Sequence, residues 1–506
     1  MRSSLLSTHF RPGAQFVLSW SIPDSFGGMT GALLHRSRAF VEQAGRPVDI
    51  LTLDDRIDTP ELEQRLRADG EVIDGMRIIN IWDWFRAVEI NGRDDGPPSH
   101  EHDPIAPGPN VQESGRDGVV LLRELRDEDG QVRSVDRLRP DGSLLVSDRR
   151  DAEGGTRNVV LYDSAGVPVR SWGSVWGVYR HWLDEIIGGQ ESFLIVDSKT
   201  AARFARTYRR RNVVTMHVLH GSHRSADGSA LSASRRSVLE NLADFDSVVL
   251  LTKAQREDLV RDLGPFPHLA VIPNGFDHAA ESSATAQTRR RGRGVMLSSL
   301  IARKRVSHAI KAIARASRDV DVTLDVFGEG ERRPLLEKTI GSLDASDRVS
   351  LRGHDVGARS TFATADFMLL TSKAEGLPLA LVEGMAAGCI PIAYDIAYGP
   401  ADVIDDGRNG FLVPPGDIDA LAQRVVALQR LPERAVESMR RRARATAERF
   451  GDASVTRAWA REMERAYERK HAGDPGASVA RRIRRVAGRA KRRAVRLSGG
   501  YDDSDA

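Results

Sequence analysis

Glu375 and Glu383 stand eight residues apart in SKAEGLPLALVEGMAAG (372–388), the stretch of this 506-residue chain whose residue types most clearly carry chemistry. A strand-like apolar run, FMLLTS (367–372), enters it, and Pro378 suits the first turn of a helix. The first glutamate then belongs to a loop and the second to the helix. Backbone N–H groups of Gly376, Leu377, Leu379 and their neighbours are unpaired at such a helix start, which attracts phosphate or sugar oxygens. Glu383 can accept hydrogen bonds from a diol such as ribose. Two carboxylates also suit glycoside hydrolysis, which needs them about 5–5.5 Å or 6.5–9.5 Å apart. Eight helical residues would separate the backbones by ~12 Å, which weakens that reading. The plainer alternative is a pair of glutamates that solvate a helix start.

Other residues could act with them. Gly27-Gly28-Met29-Thr30 follows the first strand-like run and opens a helix, where glycines let backbone approach a diphosphate. Lys304 lies in SSLIARKR (298–305) and is one of only eight lysines, so composition alone does not explain it. A cation there would stabilise charge growing on a leaving diphosphate; an ordinary exposed helix lysine is the alternative. His217, His220 and His223 have metal-like spacing in VTMHVLHGSHR. Residues i and i+3 point to opposite faces of a strand, so a metal site is not expected. Asp244-Phe245-Asp246 is a common triplet and reads as surface.

Strand-length apolar runs alternate with helical patterns in two stretches. QFVLSW (15–20), VDILTL (48–53), MRIINIW (76–82), SFLIVDS (192–198), NVVTMHVL (212–219), SVVLLT (247–252) and LAVIPN (269–274) form the first. GVMLSS (294–299), VTLDVFG (322–328), VSLRG (349–353), FMLLTS, CIPIAY (389–394) and GFLVP (410–414) form the second. Their apolar residues are continuous rather than alternating, which predicts parallel strands covered on both faces by helices. Two Rossmann-like domains are expected, with ligands beyond the carboxyl ends of the strands. Between residues 110 and 170, Asp129-Gly130, Asp141-Gly142, Gly154-Gly155 and Ala165-Gly166 recur near every twelve residues and predict an antiparallel β-meander. A Gly/Pro/Asp-rich stretch at 91–110 reads as a loop, and ESSATAQ (281–287) with TRRRGRGV (288–295) reads as a hinge.

Composition narrows the class. The chain is 41% hydrophobic and 29% charged, a soluble balance with enough apolar residues for several cores. No run approaches the ~20 apolar residues of a membrane span. The N-terminal residues lack the apolar stretch of a secretory signal, and the single cysteine, Cys389, excludes an internal disulfide framework or a Cys-based zinc site. A cytoplasmic protein is expected. Residues 480–497 hold nine Lys/Arg and no acid; subtracting them from the net charge of +3 leaves the body at −6, which argues against nucleic-acid binding by the whole chain. This tail has a narrow apolar stripe on an Arg-covered helix, a form suited to an anionic membrane surface at the inner face; a solvated tail fits equally.

The Glu-x7-Glu segment resembles the retaining group 1 glycosyltransferases of GT-B fold. Ile272-Pro273-Asn274-Gly275, Phe327-Gly328-Glu329-Gly330, Gly399-Pro400-Ala401-Asp402-Val403-Ile404 and Asn409-Gly410-Phe411-Leu412-Val413 resemble further motifs of that family. Tyr394-Asp395-Ile396-Ala397-Tyr398-Gly399-Pro400 is similar to the subgroup of poly(glycerol-phosphate) α-glycosyltransferases and serine-rich adhesin glycosyltransferases, which carry an antiparallel insertion in the N-terminal half. The resemblance spans roughly residues 13–465.

It implies two lobes facing a cleft. The N-terminal lobe would be residues 1–90 and 173–280, the insertion 91–172, the nucleotide-sugar lobe 281–445, a returning helix 446–470 and the tail 471–506. It further implies transfer of a hexosyl unit from a nucleotide sugar, a UDP-sugar by preference, to a polyol, glycan or protein hydroxyl, with no cofactor and no metal. Glu375, His217 and Lys304 would be catalytic, with His220 the alternate to His217. Gly27, Gly28, Ser299, Arg303, Gly328, Gly376, Leu377, Leu379 and Glu383 would bind the donor. Ser299 departs from the family, which has an arginine there; Arg303 is the nearest replacement. The insertion would extend the acceptor surface or make a homo-oligomer contact. The rival reading is a non-catalytic partner of an active enzyme, and a nucleotide-sugar epimerase fits the two lobes but not the insertion.

Overall fold

The computed structural model describes residues 10–472, apart from 25, 27, 91–99, 151–156, 226–227, 229 and 277–288. Gly27, the Gly154-Gly155 turn, the 281–287 segment and the basic stretch 480–497 therefore lie outside the described residues.

The chain starts with β1 (Ala14–Ser19), β2 (Val48–Thr52) and β3 (Met76–Asn80). The insertion follows as β4 (Val111–Arg116), β5 (Val119–Arg126), β6 (Val132–Leu138), β7 (Leu144–Arg150), β8 (Arg157–Tyr162) and β9 (Pro168–Trp172). The first lobe resumes with β10 (Ser192–Val196), β11 (Val213–Leu219), β12 (Ser247–Leu250) and β13 (Leu269–Val271). The second lobe holds β14 (Arg293–Leu297), β15 (Thr323–Phe327), β16 (Val349–Gly353), β17 (Phe367–Leu370), β18 (Ile390–Tyr394) and β19 (Phe411–Val413).

These strands make two parallel sheets, ordered β13-β12-β11-β10-β1-β2-β3 and β16-β15-β14-β17-β18-β19, and one antiparallel meander, β4 to β9 in sequence. Every residue of β10, β11 and β18 is buried, as expected where helices cover both faces of a parallel sheet. The two sheets change winding direction between β1 and β10 and between β14 and β17. At each such point the connections leave to opposite faces and open a crevice at the carboxyl ends. Loops 20–24 and 197–198 meet at the first crevice, where Trp20 N–H donates to Ser198 Oγ; loops 298–305 and 371–378 meet at the second.

The meander starts near residue 110 as expected and holds one hairpin turn more than the four turn signals marked: β4 and β5 join at Asp117-Gly118, another Asp-Gly pair, with Gly118 at φ +79°. One face of the meander buries Val146, Val159 and Leu161 against Ile81, Trp82, Phe85, Val178 and Trp182 of the first lobe. Part of the expected 91–110 loop lies across the meander instead of standing free. Ile105 is buried, its N–H donating to Asp136 Oδ2 at 2.6 Å, and His102 N–H donates to Tyr162 Oη at 2.8 Å.

Arg137 of β6 fastens the meander to the first lobe. Its guanidinium lies 3.8 Å from the Trp82 ring centroid and donates to both carboxylate oxygens of Asp55, at 2.6 and 2.9 Å. The helix Asp452–His471 returns to the first lobe, where Trp459 meets Phe40 edge-on and Lys470 Nζ donates to Asp246 Oδ2 at 2.8 Å. Arg137 is buried while Asp55 is about one-third exposed, so truncating Arg137 forfeits mainly its packing on the Trp82 ring, and the ion pair adds little. Arg137→Ala is therefore expected to lower unfolding free energy by roughly 1–3 kcal/mol in urea titration. An unchanged midpoint would show that apolar packing alone holds the meander.

Candidate functional site

The second lobe supplies a charged pair at its crevice. Lys304 Nζ donates to Glu375 Oε1 at 2.5 Å, and Arg303 Nη1 reaches Glu375 Oε2 at 3.4 Å and Ala374 O at 2.8 Å. Backbone positions these side chains. Lys304 ends a single 3-10 turn, Ala302–Lys304, and Thr371 Oγ1, buried just past β17, lies 3.0 Å from both Lys304 O and Arg305 O. Lys373 N–H closes the frame on Arg303 O at 2.8 Å. Glu375 is 11% exposed at its side chain, so the pair is screened less than a surface salt bridge.

The helix Leu379–Ala386 begins four residues later with Pro378 at its N-cap and no side chain capping it. Glu383, 12% exposed at its side chain, lies on that helix with Oε2 accepting from Arg359 Nε at 3.1 Å. Ser299 is exposed after β14 and Arg303 is half-exposed. Gly328 follows β15 at φ +138°, where a Cβ would fall 2.1 Å from Ser298 O. Leu377 is buried and Leu379 half-buried. Lys304, Arg303, Gly376 and Glu375 thus come together, with Ser299 and Gly328 on the neighbouring strand ends.

The first lobe meets this site at Gly376. A Cβ on Gly376 would lie 2.1 Å from His220 O, so only glycine allows the approach. His220 Nε2 lies 2.6 Å from Asp197 Oδ1, and Asp197 also accepts from Arg36 Nη1 at 3.0 Å and Nη2 at 2.6 Å. Burial alone would raise the Asp197 carboxyl, but the Arg36 charge and the His220 bond hold it well below the usual carboxylate range. His220 Nδ1 is buried with no hydrogen-bond partner among the described residues. Gly28 starts the helix Gly28–Ala44, which carries Arg36 of this cluster about two turns farther on. Farther along, Lys253 N–H donates to Asp402 Oδ1 at 2.9 Å and Tyr398 Oη to Asp258 Oδ2 at 2.9 Å, joining the lobes on one side.

His217 does not reach this site. It is 2% exposed within β11, its ring stacks on Phe245 and its Nδ1 lies 2.8 Å from Val196 O. A strand-interior side chain faces a helix layer, whereas His220 stands past the strand's carboxyl end. The alternate histidine, His220, is the one whose backbone meets Gly376 of the second lobe. The third, His223, lies 2.8 Å from Asp262 instead. Asp246, expected at the surface, is buried and accepts from Thr215 N–H at 2.9 Å and from Lys470. Among the described residues no three His, Cys, Asp or Glu side chains cluster to hold a metal. A groove of about 410 Å³ opens away from the Lys304–Glu375 pair, between helix Lys253–Leu263, β13 and helix Asp452–His471.

Residues 290–449, which contain Lys304, Glu375 and Glu383, match the family model for glycosyl transferases group 1. The chain carries a group 1 glycosyltransferase domain. Over its longer span it is 21% identical across 468 residues to the poly(glycerol-phosphate) alpha-glucosyltransferase of Bacillus subtilis, covering 82% of this chain and 70% of that protein. It is also 21% identical across 462 residues to the poly(ribitol-phosphate) alpha-N-acetylglucosaminyltransferase of Staphylococcus aureus, covering 82% and 92%. The crystal structure of a TarM variant from S. aureus, in complex with fondaparinux, alpha-GlcNAc-glycerol and UDP, superposes with a TM-score of 0.73 at 20% identity, over 89% of this chain and 100% of that one. The fold is therefore GT-B, with the group 1 domain as its second lobe and the antiparallel sheet inserted in the first. No described helix is long and apolar enough to cross a membrane.

Two outcomes follow for the residues where the group 1 domain meets the first lobe. Gly376→Ala must push the 373–378 loop off His220, and overpacking of this kind costs ~1–3 kcal/mol. The urea unfolding midpoint is expected to fall accordingly, and an unchanged midpoint would show that the loop can move aside without cost. Burial pushes the His217 imidazole down to about 4, against 6.5 when unfolded. The unfolded chain therefore binds this proton first. Stability is complete above pH 6.5 and declines as pH falls toward 4. His217→Asn should flatten that decline, read as a smaller gap between urea midpoints at pH 7.5 and 4.5.

Proposed function

We propose that this chain transfers a hexosyl unit from a UDP-sugar to a hydroxyl of a polyol, glycan or protein acceptor, with retention at the anomeric carbon and without a metal at the leaving group. The observation that carries this reading is the Lys304–Glu375 pair at the second lobe's crevice, facing His220 across the Gly376 contact.

The donor diphosphate would lie between Lys304 and the uncapped start of helix Leu379–Ala386. Both supply positive potential to the charge that grows as the glycosidic bond breaks. Glu383 would accept from the ribose hydroxyls. Glu375 would hold a hexose hydroxyl and stabilise positive charge on the sugar ring. Arg303, already folded toward Glu375, would supply the second cation that the neutral Ser299 lacks. Cations in these positions do for the leaving group what a metal does elsewhere. His220, anchored on Asp197, would sit on the acceptor side. Closure of the lobes would exclude water from this array.

The relatives' names point to phosphate-linked polyol polymers as acceptors. A cytoplasmic location at the inner face of the membrane, and self-association through the meander, belong to the same proposal. Ser299 favours the rival reading of a non-catalytic partner, because it removes a phosphate-binding charge.

The readings separate in one assay on the full chain. UDP-sugars, but not GDP- or ADP-sugars, are expected to raise the thermal midpoint, since a ligand selective for the folded state stabilises it. Glu375→Gln is expected to lower transfer or donor hydrolysis by about 10²–10³-fold. Absence of any nucleotide-sugar shift would favour the non-catalytic partner.

A further inference from the structure

Trp20 is the one aromatic among the exposed large hydrophobic side chains of the described residues, at 36% exposure. An indole left in water has a reason when its backbone is fixed with care, and here it is. Trp20 N–H donates to Ser198 Oγ at 3.2 Å, and its carbonyl accepts from both Leu53 N–H and Asp54 N–H at 3.0 Å. The ring rests edge-on against Tyr179, centroids 6.4 Å apart. The loop that follows is pinned too: Arg56 donates to Ile22 O at 3.0 Å and to Asp24 at 2.5 Å. The indole is thus held ready before any ligand arrives, so little conformational entropy is lost on binding.

Its place in the sheet gives the ligand. Trp20 stands at the carboxyl end of β1, and His220 at that of β11, with β10 between them. Two strand spacings put these positions about 10 Å apart. Ser198, which holds Trp20, adjoins Asp197, which holds His220. The gap suits one acceptor unit beside the transferred sugar. On the far side, loop 53–58 joins Trp20 to the meander, since Asp55 is bound by Arg137 and Ile57 O accepts from Arg116 at 2.9 Å.

We propose that Trp20 is a stacking platform for the acceptor: one sugar or polyol unit lies with its C–H face on the indole and presents a hydroxyl toward His220, while the rest of the acceptor runs toward the meander. This rests on the transferase reading above. Sugars and polyols have an apolar C–H face, and stacking it on a rigid aromatic ring removes apolar area from water at low entropic cost. Asp54, whose N–H donates to the Trp20 carbonyl, has one carboxyl oxygen 3.2 Å from Asn80 Nδ2. Burial and the neighbouring Asp55 charge push it up to about 7. It can therefore donate to or accept from an acceptor hydroxyl near neutral pH. The ring supplies contact and Asp54 supplies orientation, a usual division of labour in carbohydrate-sized sites.

The test uses the full chain, with glycerol-phosphate and ribitol-phosphate oligomers and methyl glucoside as acceptor probes. UDP affinity is measured separately, by calorimetry. Saturation-transfer NMR is expected to show wild-type protein contacting the C–H protons of at least one probe, and Trp20→Ala is expected to lose that contact. With that probe, Trp20→Ala should raise acceptor KM about ten-fold or more at unchanged UDP affinity, Trp20→Phe should recover most of it, and Trp20→Leu should not. No saturation transfer to any probe from the wild type overturns the platform. So do an unchanged acceptor KM in Trp20→Ala, a loss of UDP affinity equal to the loss in KM, and full recovery by leucine. Failure of the wild type to bind UDP at all is a different result, and overturns the transferase reading on which the platform depends.

Discussion

A lysine held 2.5 Å from a glutamate at the end of two neighbouring parallel strands is the interaction on which the rest of the site depends. Lys304 and Glu375 are 71 residues apart in sequence, and only the change of winding direction between β14 and β17 brings their loops together. The pair is not a stability device. Half-buried ion pairs of this kind contribute little to folding, because desolvation offsets much of their attraction. The pair holds a cation and a carboxylate oriented and mutually neutralised in a largely buried position. The Thr371 hydroxyl beneath it, shared between two carbonyls, serves the same end by fixing backbone rather than side chain.

The strand, loop and helix that carry Glu375 and Glu383 were legible because they lie in one continuous segment. Glu375, Gly376, Leu379 and Glu383 fall within nine residues, and local rules for strand, turn and helix place them without knowledge of long-range contacts. The strands were legible for a related reason. A strand buried on both faces cannot alternate, so runs such as SFLIV and IPIAY announce a parallel sheet directly.

The first lobe was harder, and for physical causes. His217 and His220 differ by three residues at a strand end, and the point where β11 stops decides which of them faces the cleft. Strand ends are set by tertiary backbone pairing, here of β11 with β10 and β12, which no local pattern encodes. Asp246 looked like surface because an aspartate usually is; its burial depends on Lys470, more than two hundred residues away. The β4–β5 hairpin had its Asp-Gly signal all along, but Asp117-Gly118 lacks the flanking apolar alternation that makes such a pair stand out, since β4 is mostly polar and none of it is buried.

The helix Asp452–His471 has a consequence for how the protein can be rebuilt. Its apolar stripe, Val455, Trp459 and Met463, is buried, and it lies on the helix Gly28–Ala44, so the polypeptide completes its first lobe only with some of its last residues. A chimera spliced once, between the lobes, would inherit a borrowed final layer over a foreign floor. Recombination among such proteins is thus steered toward double crossovers, or toward exchange of the meander alone, whose two boundaries both fall within one lobe.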